Sequence, residues 1–395
     1  MSSRPLLLAG GAFAVGTSAY VITGILPAVS AELGVSITTA GQLSTVFALA
    51  YAISAPVLAT VAGRLDRRTL LVAALALAGI GNAVSALATT YPLLLGSRII
   101  SALGAAAFTP AATVVATQLM PPHRRGSAVA LVFGGLTFAL VLGVPMGTLL
   151  GAGLGYRGVF AIIALVCFAA ALAVRALLPQ VSAPPVIPLR ERFAVVRDRR
   201  VLTVLGVTVF GVLSAMSVYV YAVPFLAASA GVTGPAVGVL LLVYGLGALL
   251  GNFLGGRGTD RFGSKRTLVS SMVVFLAVVA TLPLTATSVA GAAAAFFVWS
   301  IVTWTFNPPI QHLLLGMAPT HAGGLRLSIN ASAIYLGAGL SGAVGGLVIS
   351  SIGVLALPIV ATALMLVSLA LLLIGAPHRT RERPVEVPTA LASSG

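Results

Sequence analysis

The sequence predicts an all-α integral membrane protein of about twelve transmembrane helices, arranged as two pseudo-symmetric six-helix bundles. Three observations predict it. Apolar runs of roughly 20 residues recur from end to end, positive charge is confined to alternate loops, and the second half of the chain repeats the first at a nearly constant offset.

Of the 395 residues, 59% are hydrophobic and 7% charged, and the mean hydropathy is +1.11, far from the mixture expected of a domain dissolved in water. The runs in the first half extend approximately from Leu6 to Ala28, Gly41 to Ala62, Thr69 to Ala88, Leu93 to Leu119, Ser127 to Leu150 and Gly158 to Leu178. Those in the second half extend from Val201 to Leu226, Ala236 to Gly256, Thr267 to Thr285, Val289 to Met317, Leu327 to Ser351 and Val354 to Gly375. As helices rising about 1.5 Å per residue, each crosses a hydrocarbon core of about 30 Å. The runs are continuous rather than alternating, which excludes a barrel. The first lacks a clear cleavage site and is followed at once by another, so it reads as a retained helix rather than a removed signal.

A formal charge of +15 would suggest nucleic acid in a soluble protein, so the placement of the 22 Lys and Arg decides its meaning. With the N-terminus in the cytoplasm, all but Arg98 and Arg157 fall on the cytoplasmic side, which sets both termini there and points to a multi-pass protein of the cell membrane. Nucleic-acid binding is thereby disfavoured. Cys167 stands alone in an apolar run, so neither a disulfide framework nor a thiol metal site is expected. No cofactor or metal is called for, and paired carboxylates or a Ser-His-Asp set of the kind an enzyme needs are not found.

Residues 179–200 hold Pro179, Pro184, Pro185, Pro188 and five arginines, and read as a cytoplasmic linker between bundles at 1–178 and 201–376, with a polar tail at 377–395. Shifting the second half by 197 or 198 positions brings Pro27 onto Pro224, Gly34-Val35-Ser36 onto Gly231-Val232-Thr233, Arg68-Thr69-Leu70 onto Arg266-Thr267-Leu268, and Phe108 and Pro110 onto Phe306 and Pro308. Two parallel repeats of this kind place a cavity at their interface near the midplane.

Gly135, Ala139, Gly143, Gly147 and Gly151 recur every four residues around Gly143-Val144-Pro145-Met146-Gly147, making one face of the fifth helix small while Pro145 permits a bend. Gly256 to Arg266, with Asp260 and Arg261, forms a loop whose glycine suits a tight turn and whose charges can re-pair as the halves rock. These motifs, with Arg98-Ile99-Ile100-Ser101-Ala102-Leu103-Gly104, resemble the major facilitator superfamily, and within it the twelve-helix drug efflux proteins that include chloramphenicol, sugar and nucleoside exporters. The resemblance covers essentially the whole chain. It implies the major facilitator fold, an alternating-access antiporter linked to drug resistance, and a monomer. The first-half loop departs from the pattern, since Gly63 stands where the aspartate belongs and Asp66 lies three residues on.

The seven carboxylates all lie outside the predicted spans. Related exporters carry an acid in the first helix, where this chain has Gly16-Thr17-Ser18-Ala19-Tyr20. Protons as a coupling partner would therefore need Glu32, Asp66 or His312, and a uniporter or importer on the same fold is a rival to the exporter. An arginine inside a span is costly and usually faces a cavity or a partner, so Arg98 is the leading functional candidate, with snorkelling to the outer surface as its alternative. Without carboxylates the cavity suits a neutral or weakly acidic small molecule better than a quaternary amine. Comparing the repeats, Tyr20 in the first helix, Ser217 and Tyr221 in the seventh, and Trp299, Thr303 and Asn307 in the tenth join Arg98 as candidate substrate-binding residues. Glu32, Asp66, Gly143, Pro145, Asp260, Arg261 and His312 are the candidates for gating or coupling. Membrane lipids are the remaining partner.

Overall fold

The structure is a computed structural model that describes residues 4–61, 65–121, 125–181, 197–317 and 323–375. The tail and most of the linker lie outside the described residues, as do Arg64 and His123. Helices account for nearly all of what is described, because a hydrocarbon solvent offers no partner for a free N–H or C=O. Among the described residues ten helices are long and apolar enough to span, and the bent pair Arg4–Tyr20 and Ile22–Leu33 makes an eleventh. One of the ten, Leu131–Leu177, has 47 residues and would measure about 70 Å, more than twice the hydrocarbon thickness. It is broken at Gly155 (φ 64°, ψ 179°), so it crosses twice, which supplies spans five and six.

Two expected loops are almost absent. Between spans five and six the sequence suggests a connection over roughly 150–158, yet helix continues on both sides and the reversal falls on Gly155 alone, where the backbone enters a region that disfavours a Cβ. Between spans eight and nine, helix Pro235–Phe262 runs through Asp260 and Arg261, and Ser264–Thr285 starts after the single residue Gly263 (φ 83°). Asp260 and Arg261 therefore lie on the last helical turn of span eight, and Lys265 and Arg266 on the first of span nine.

The two halves match in detail. Span one breaks between Tyr20 and Ile22 with a 46° bend, and span seven breaks between Arg199–Tyr219 and Ala222–Ala230. Both end on a left-handed glycine, Gly34 (φ 63°) and Gly231 (φ 64°). Gly11 makes room for the ring of Phe108 as Gly211 does for that of Phe306. The proline sites differ: Pro110 sits within the unbroken helix Tyr91–Gln118, whereas span ten stops at Thr305 and restarts at Asn307–Gly316 with Pro308 and Pro309 in its first turn, where missing N–H groups cost nothing.

The small stripe of span five lies against span one. A side chain at Gly135 would strike the Ala9 carbonyl, one at Gly143 would strike Thr17, and one at Gly147 would strike Val21. In the middle of the stripe the helix widens into a π turn, Ala139–Gly143, with Val144 N–H donating to the Ala139 carbonyl. Pro145 follows within two residues; it offers no N–H to the carbonyl of Val141 and its ring crowds that carbonyl, and a wider turn relieves both.

Between the halves, spans two and eleven make one seam and spans five and eight another. Gly339, Gly342 and Gly346 of span eleven let Leu49, Thr45 and Gln42 of span two approach its backbone, and Gly245 of span eight lies on Val141.

The neighbouring glycines of span five offer a stability test. Gly135→Ala forces a Cβ into a backbone carbonyl, while Gly134→Ala meets nothing within 4 Å. Gly135→Ala should lower stability by about 1–3 kcal/mol, and Gly134→Ala should leave it unchanged or raise it; thermal unfolding of both variants in detergent is the check.

Candidate functional site

Arg98 is fully buried in the core of the first half. Its Nη2 donates to the carbonyl of Ser18 at 2.5 Å and its Nη1 to the Ser18 hydroxyl at 3.4 Å. That carbonyl belongs to the turn before the break in span one. In a continuous helix the Ile22 N–H would occupy it; here the guanidinium stands in its place. Ser18 Oγ donates in turn to Asn82 Oδ1 at 2.9 Å, and Asn82 Nδ2 to the Ala78 carbonyl at 2.8 Å. The guanidinium lies 4.6 Å from the ring centroid of Phe47 and 5.3 Å from that of Phe160, so cation–π attraction takes the place of a carboxylate. Its Nε has no hydrogen-bond partner.

At the matching place in the second half there is no cation. Phe296 occupies the position of Arg98 in the repeat, and Tyr244 that of Phe47. Phe296 packs edge-on to Tyr244 at 6.3 Å and to Trp299 at 5.1 Å; Tyr244 lies 4.9 Å from Trp299 and 4.6 Å from Tyr219. The repeat is kept, and the chemistry is exchanged.

Tyr20 stands between these two cores, half-buried and within electrostatic range of Tyr51, Tyr219, Tyr244 and Tyr335. Tyr51 of span two and Tyr335 of span eleven stack across the junction with centroids 3.5 Å apart and planes at 17°. The junction at this level is thus built of phenols, with Thr109 beside Tyr51.

Of the other candidates, Trp299 and Thr303 border this centre at Tyr244, whereas Tyr221 lies away from it. Tyr221 is buried at the seam of spans two and eleven, donating to the Gly342 carbonyl at 2.8 Å, and Gln42 Nε2 donates to the same carbonyl at 3.2 Å. A cleft of about 390 Å³ opens outside them, lined by Thr38, Thr39, Gln42, Gly346 and Ser350. Ser217 turns back to the Leu213 carbonyl. Trp299 is wholly buried; Thr303 donates to its carbonyl at 2.8 Å, and Asn307 Oδ1 accepts from Gln311 at 3.2 Å.

The groups able to carry a proton sit at span ends. Glu32 Oε1 accepts from the Tyr156 N–H at 3.1 Å, capping span six just after Gly155, where a helix N-terminus favours an anion. Asp66 accepts from the Thr69 N–H at 3.0 Å and from the Val181 N–H at 3.1 Å, joining the start of span three to the end of span six. Burial acts to raise its pKa, but these backbone donors, the Thr69 hydroxyl and Arg68 outweigh it and hold the carboxyl below its ordinary range. His312 is exposed and its Nδ1 is 2.8 Å from Ser264 Oγ. Asp260 and Arg261 are exposed, and Arg261 lies over the ring of Phe262 at 5.3 Å. Gly143 and Pro145 are buried within span five.

Sequence reasoning overlooked Tyr51, Tyr219, Tyr244, Trp304 and Tyr335. The available signal was a phenol or indole in the middle of an apolar run, where a polar tip is costly unless something meets it.

A multi-pass helical membrane protein with two matched halves around a polar-aromatic junction is built as a transporter. The Major Facilitator Superfamily model matches residues 8–222 and again 205–394, and the chain belongs to that family. It is therefore a secondary transporter of a small-molecule substrate and not an enzyme. The uncharacterized MFS-type transporter YbcL of Bacillus subtilis (strain 168) is 33% identical over 346 residues, covering 88% of each chain. The inner membrane transport protein YdhP of Escherichia coli (strain K12) is 34% identical over 88% of this chain and 89% of its own. A chloramphenicol resistance protein of Streptomyces lividans is 32% identical over 65% of this chain and 66% of its own. Among solved structures, a bacterial homolog of the human lysosomal transporter Spinster, in an inward-facing and occupied conformation, superposes with a TM-score of 0.74 over 95% of this chain and 97% of that one at 18% identity, which speaks to the fold alone.

Two outcomes follow. Arg98→Ala should lower stability by about 1.5–3 kcal/mol, through lost charged hydrogen bonds and a buried carbonyl left unpaired, and Ser18→Ala by about 1 kcal/mol because the main acceptor is backbone; unfolding midpoints in detergent rank the two. Because the folded pKa of Asp66 is depressed, its stabilisation is complete above the ordinary carboxylate range and is lost only as pH falls through the lowered value. Asp66→Asn should accordingly leave the pH dependence of stability between pH 6 and 8 unchanged, as a pH series of melting curves would register.

Proposed function

We propose that this protein exports small neutral or weakly acidic organic compounds across the cytoplasmic membrane by alternating access, with bundles at 1–178 and 201–376 rocking about the junction of phenols. The observation that carries the reading is the junction itself: a meeting of the two halves lined by rings and hydroxyls, with the carboxylates of the described spans, Glu32 and Asp260, confined to span ends and none at the junction to hold a cation. The seams run from Thr38 and Gly346 at the outer ends to the level of Tyr51 and Tyr335, which corresponds to a state closed to the outside. The π turn that ends at Gly143, with Pro145 just after it, supplies the yielding segment of span five. The chloramphenicol resistance relative supports the direction, since resistance to a compound acting inside the cell is gained by removing it. The reading includes cytoplasmic termini and a monomer in the lipid bilayer.

A second reading, uniport without protons, is favoured by a specific observation. Glu32, Asp66 and His312 are engaged at span ends, and none lies at the junction. The antiport that the family resemblance implies has no carrier there.

Counterflow in proteoliposomes is the test. Preloaded neutral aromatic compounds such as chloramphenicol should exchange saturably, with and without a pH gradient. Saturable movement of a cationic dye would contradict the substrate reading, and the absence of exchange for every compound would contradict transport of this class altogether.

A further inference from the structure

The junction's second-half face holds several polar atoms that nothing in the protein satisfies. The hydroxyls of Tyr219 and Tyr244 and the indole nitrogens of Trp299 and Trp304 are all buried without a hydrogen-bond partner. Tyr219, Tyr244 and Trp299 are at most 1% exposed, so bulk water does not reach them. The Tyr244 hydroxyl is turned toward Thr303 and Trp304 but meets neither in hydrogen-bonding geometry. Across the junction the Thr109 hydroxyl lies beside Tyr51 but outside strict hydrogen-bonding geometry. Folded proteins pair nearly all such groups, and four in one aromatic cluster mark a place where another molecule supplies the partners.

Their chemistry narrows that molecule. An indole N–H donates and cannot accept, so two of the four groups require acceptor atoms, and a phenol O–H donates equally well. The surrounding rings of Phe296, Tyr244 and Trp299 favour a flat, apolar body. Neither sign of charge finds a counter-ion here: among the described residues no carboxylate lies at this place and the indole N–H groups give a cation no acceptor, while Arg98, which could have held an anion, is turned away to the Ser18 carbonyl and enclosed by Phe47 and Phe160.

We infer that Tyr219, Tyr244, Trp299 and Trp304 are the specificity-determining residues of the substrate site, and that the substrate is an uncharged, ring-bearing compound carrying at least two acceptor oxygens, as carbonyl, nitro or ether groups. The inference rests on the transport reading and sharpens it from neutral or weakly acidic to neutral. It also assigns recognition to the second half, while the polar groups of the first half hold the bend of span one.

The chain contains two tryptophans, Trp299 and Trp304, so intrinsic fluorescence of the full-length protein in detergent reports on this place alone. The probes are 1,4-diacetylbenzene, which is neutral with two carbonyls; 1,4-diisopropylbenzene, of the same shape without acceptors; and 4-acetylbenzoate, an anion. Chloramphenicol serves as a larger neutral probe. Saturable fluorescence changes are expected with 1,4-diacetylbenzene and chloramphenicol. The double variant Tyr219→Phe/Tyr244→Phe keeps every ring and both reporters and removes only unpaired hydroxyls, so its unfolding midpoint should not fall, while Kd rises about tenfold or more. Tyr91→Phe, at the outer end of span four, should leave Kd unchanged. An unchanged Kd in the double variant, equal binding of the isopropyl or benzoate compound, or no saturable change with either neutral acceptor compound would overturn the inference. Counterflow of a compound that leaves the fluorescence untouched would also overturn it while the transport reading stands. Binding that depends on Tyr219 and Tyr244 with no flux of any compound would keep the donor cluster as a ligand site and remove the transport reading.

Discussion

The contact between Arg98 and the carbonyl of Ser18 is the constraint on which the first half depends. A guanidinium in the middle of a membrane bundle needs acceptors, and among the described residues the acids of the spans, Glu32 and Asp260, lie only in their end turns. It finds a carbonyl because span one breaks one turn later, and the break is sustained because a charged donor takes the place of a lost backbone donor. The bend then fixes how the part of span one beyond it, Ile22–Leu33, lies on span five, where Gly24 meets Thr148 and Gly151 meets Ile25. Removing either partner leaves the other buried and unmatched, so the charge and the bend are maintained together.

This use of Arg98 divides the labour between the halves. The repeat keeps the backbone: matching breaks, matching left-handed glycines, matching glycine-to-phenylalanine contacts. At the matched core positions it exchanges Arg98 and Phe47 for Phe296 and Tyr244. One bundle is thereby locked internally by polar bonds, and the other presents rings and unpaired donors to the junction. Tyr20 and the stacked pair Tyr51 and Tyr335 connect them. Near Tyr221 the seam of spans two and eleven uses hydrogen bonds from Tyr221 and Gln42 to one carbonyl of a glycine-rich helix. Such a seam can separate without exposing unpaired charge, as the proposed alternating access requires.

Much of the fold was legible in the sequence because the bilayer removes alternatives: an apolar run of sufficient length has to be a helix. The register of the repeat was legible too, through Gly34 and Gly231, Pro27 and Pro224, Phe108 and Phe306. The stripe from Gly135 to Gly151 announced a close neighbour, though not that the neighbour was span one. Arg98 stood out as a cation in an apolar run, but helical spacing gives a residue's face relative to its own helix and says nothing of which helix lies opposite. The Ser18 carbonyl, being backbone, carries no sequence signal at all. For the same reason the stacking of Tyr51 on Tyr335, far apart in the chain, and the shrinkage of two loops to Gly155 and Gly263 were readable only from coordinates. Glu32, Asp66 and His312 drew attention as ionisable groups near spans; the structure places them as caps and clips at span ends.

The central claim is that substrate moves through a junction that holds no proton carrier. Recording internal pH with an entrapped fluorescent indicator, while a neutral substrate leaves proteoliposomes down its gradient, tests this most directly. The account predicts substrate flux with no accompanying change in internal pH. Proton movement in fixed proportion to the substrate would contradict it.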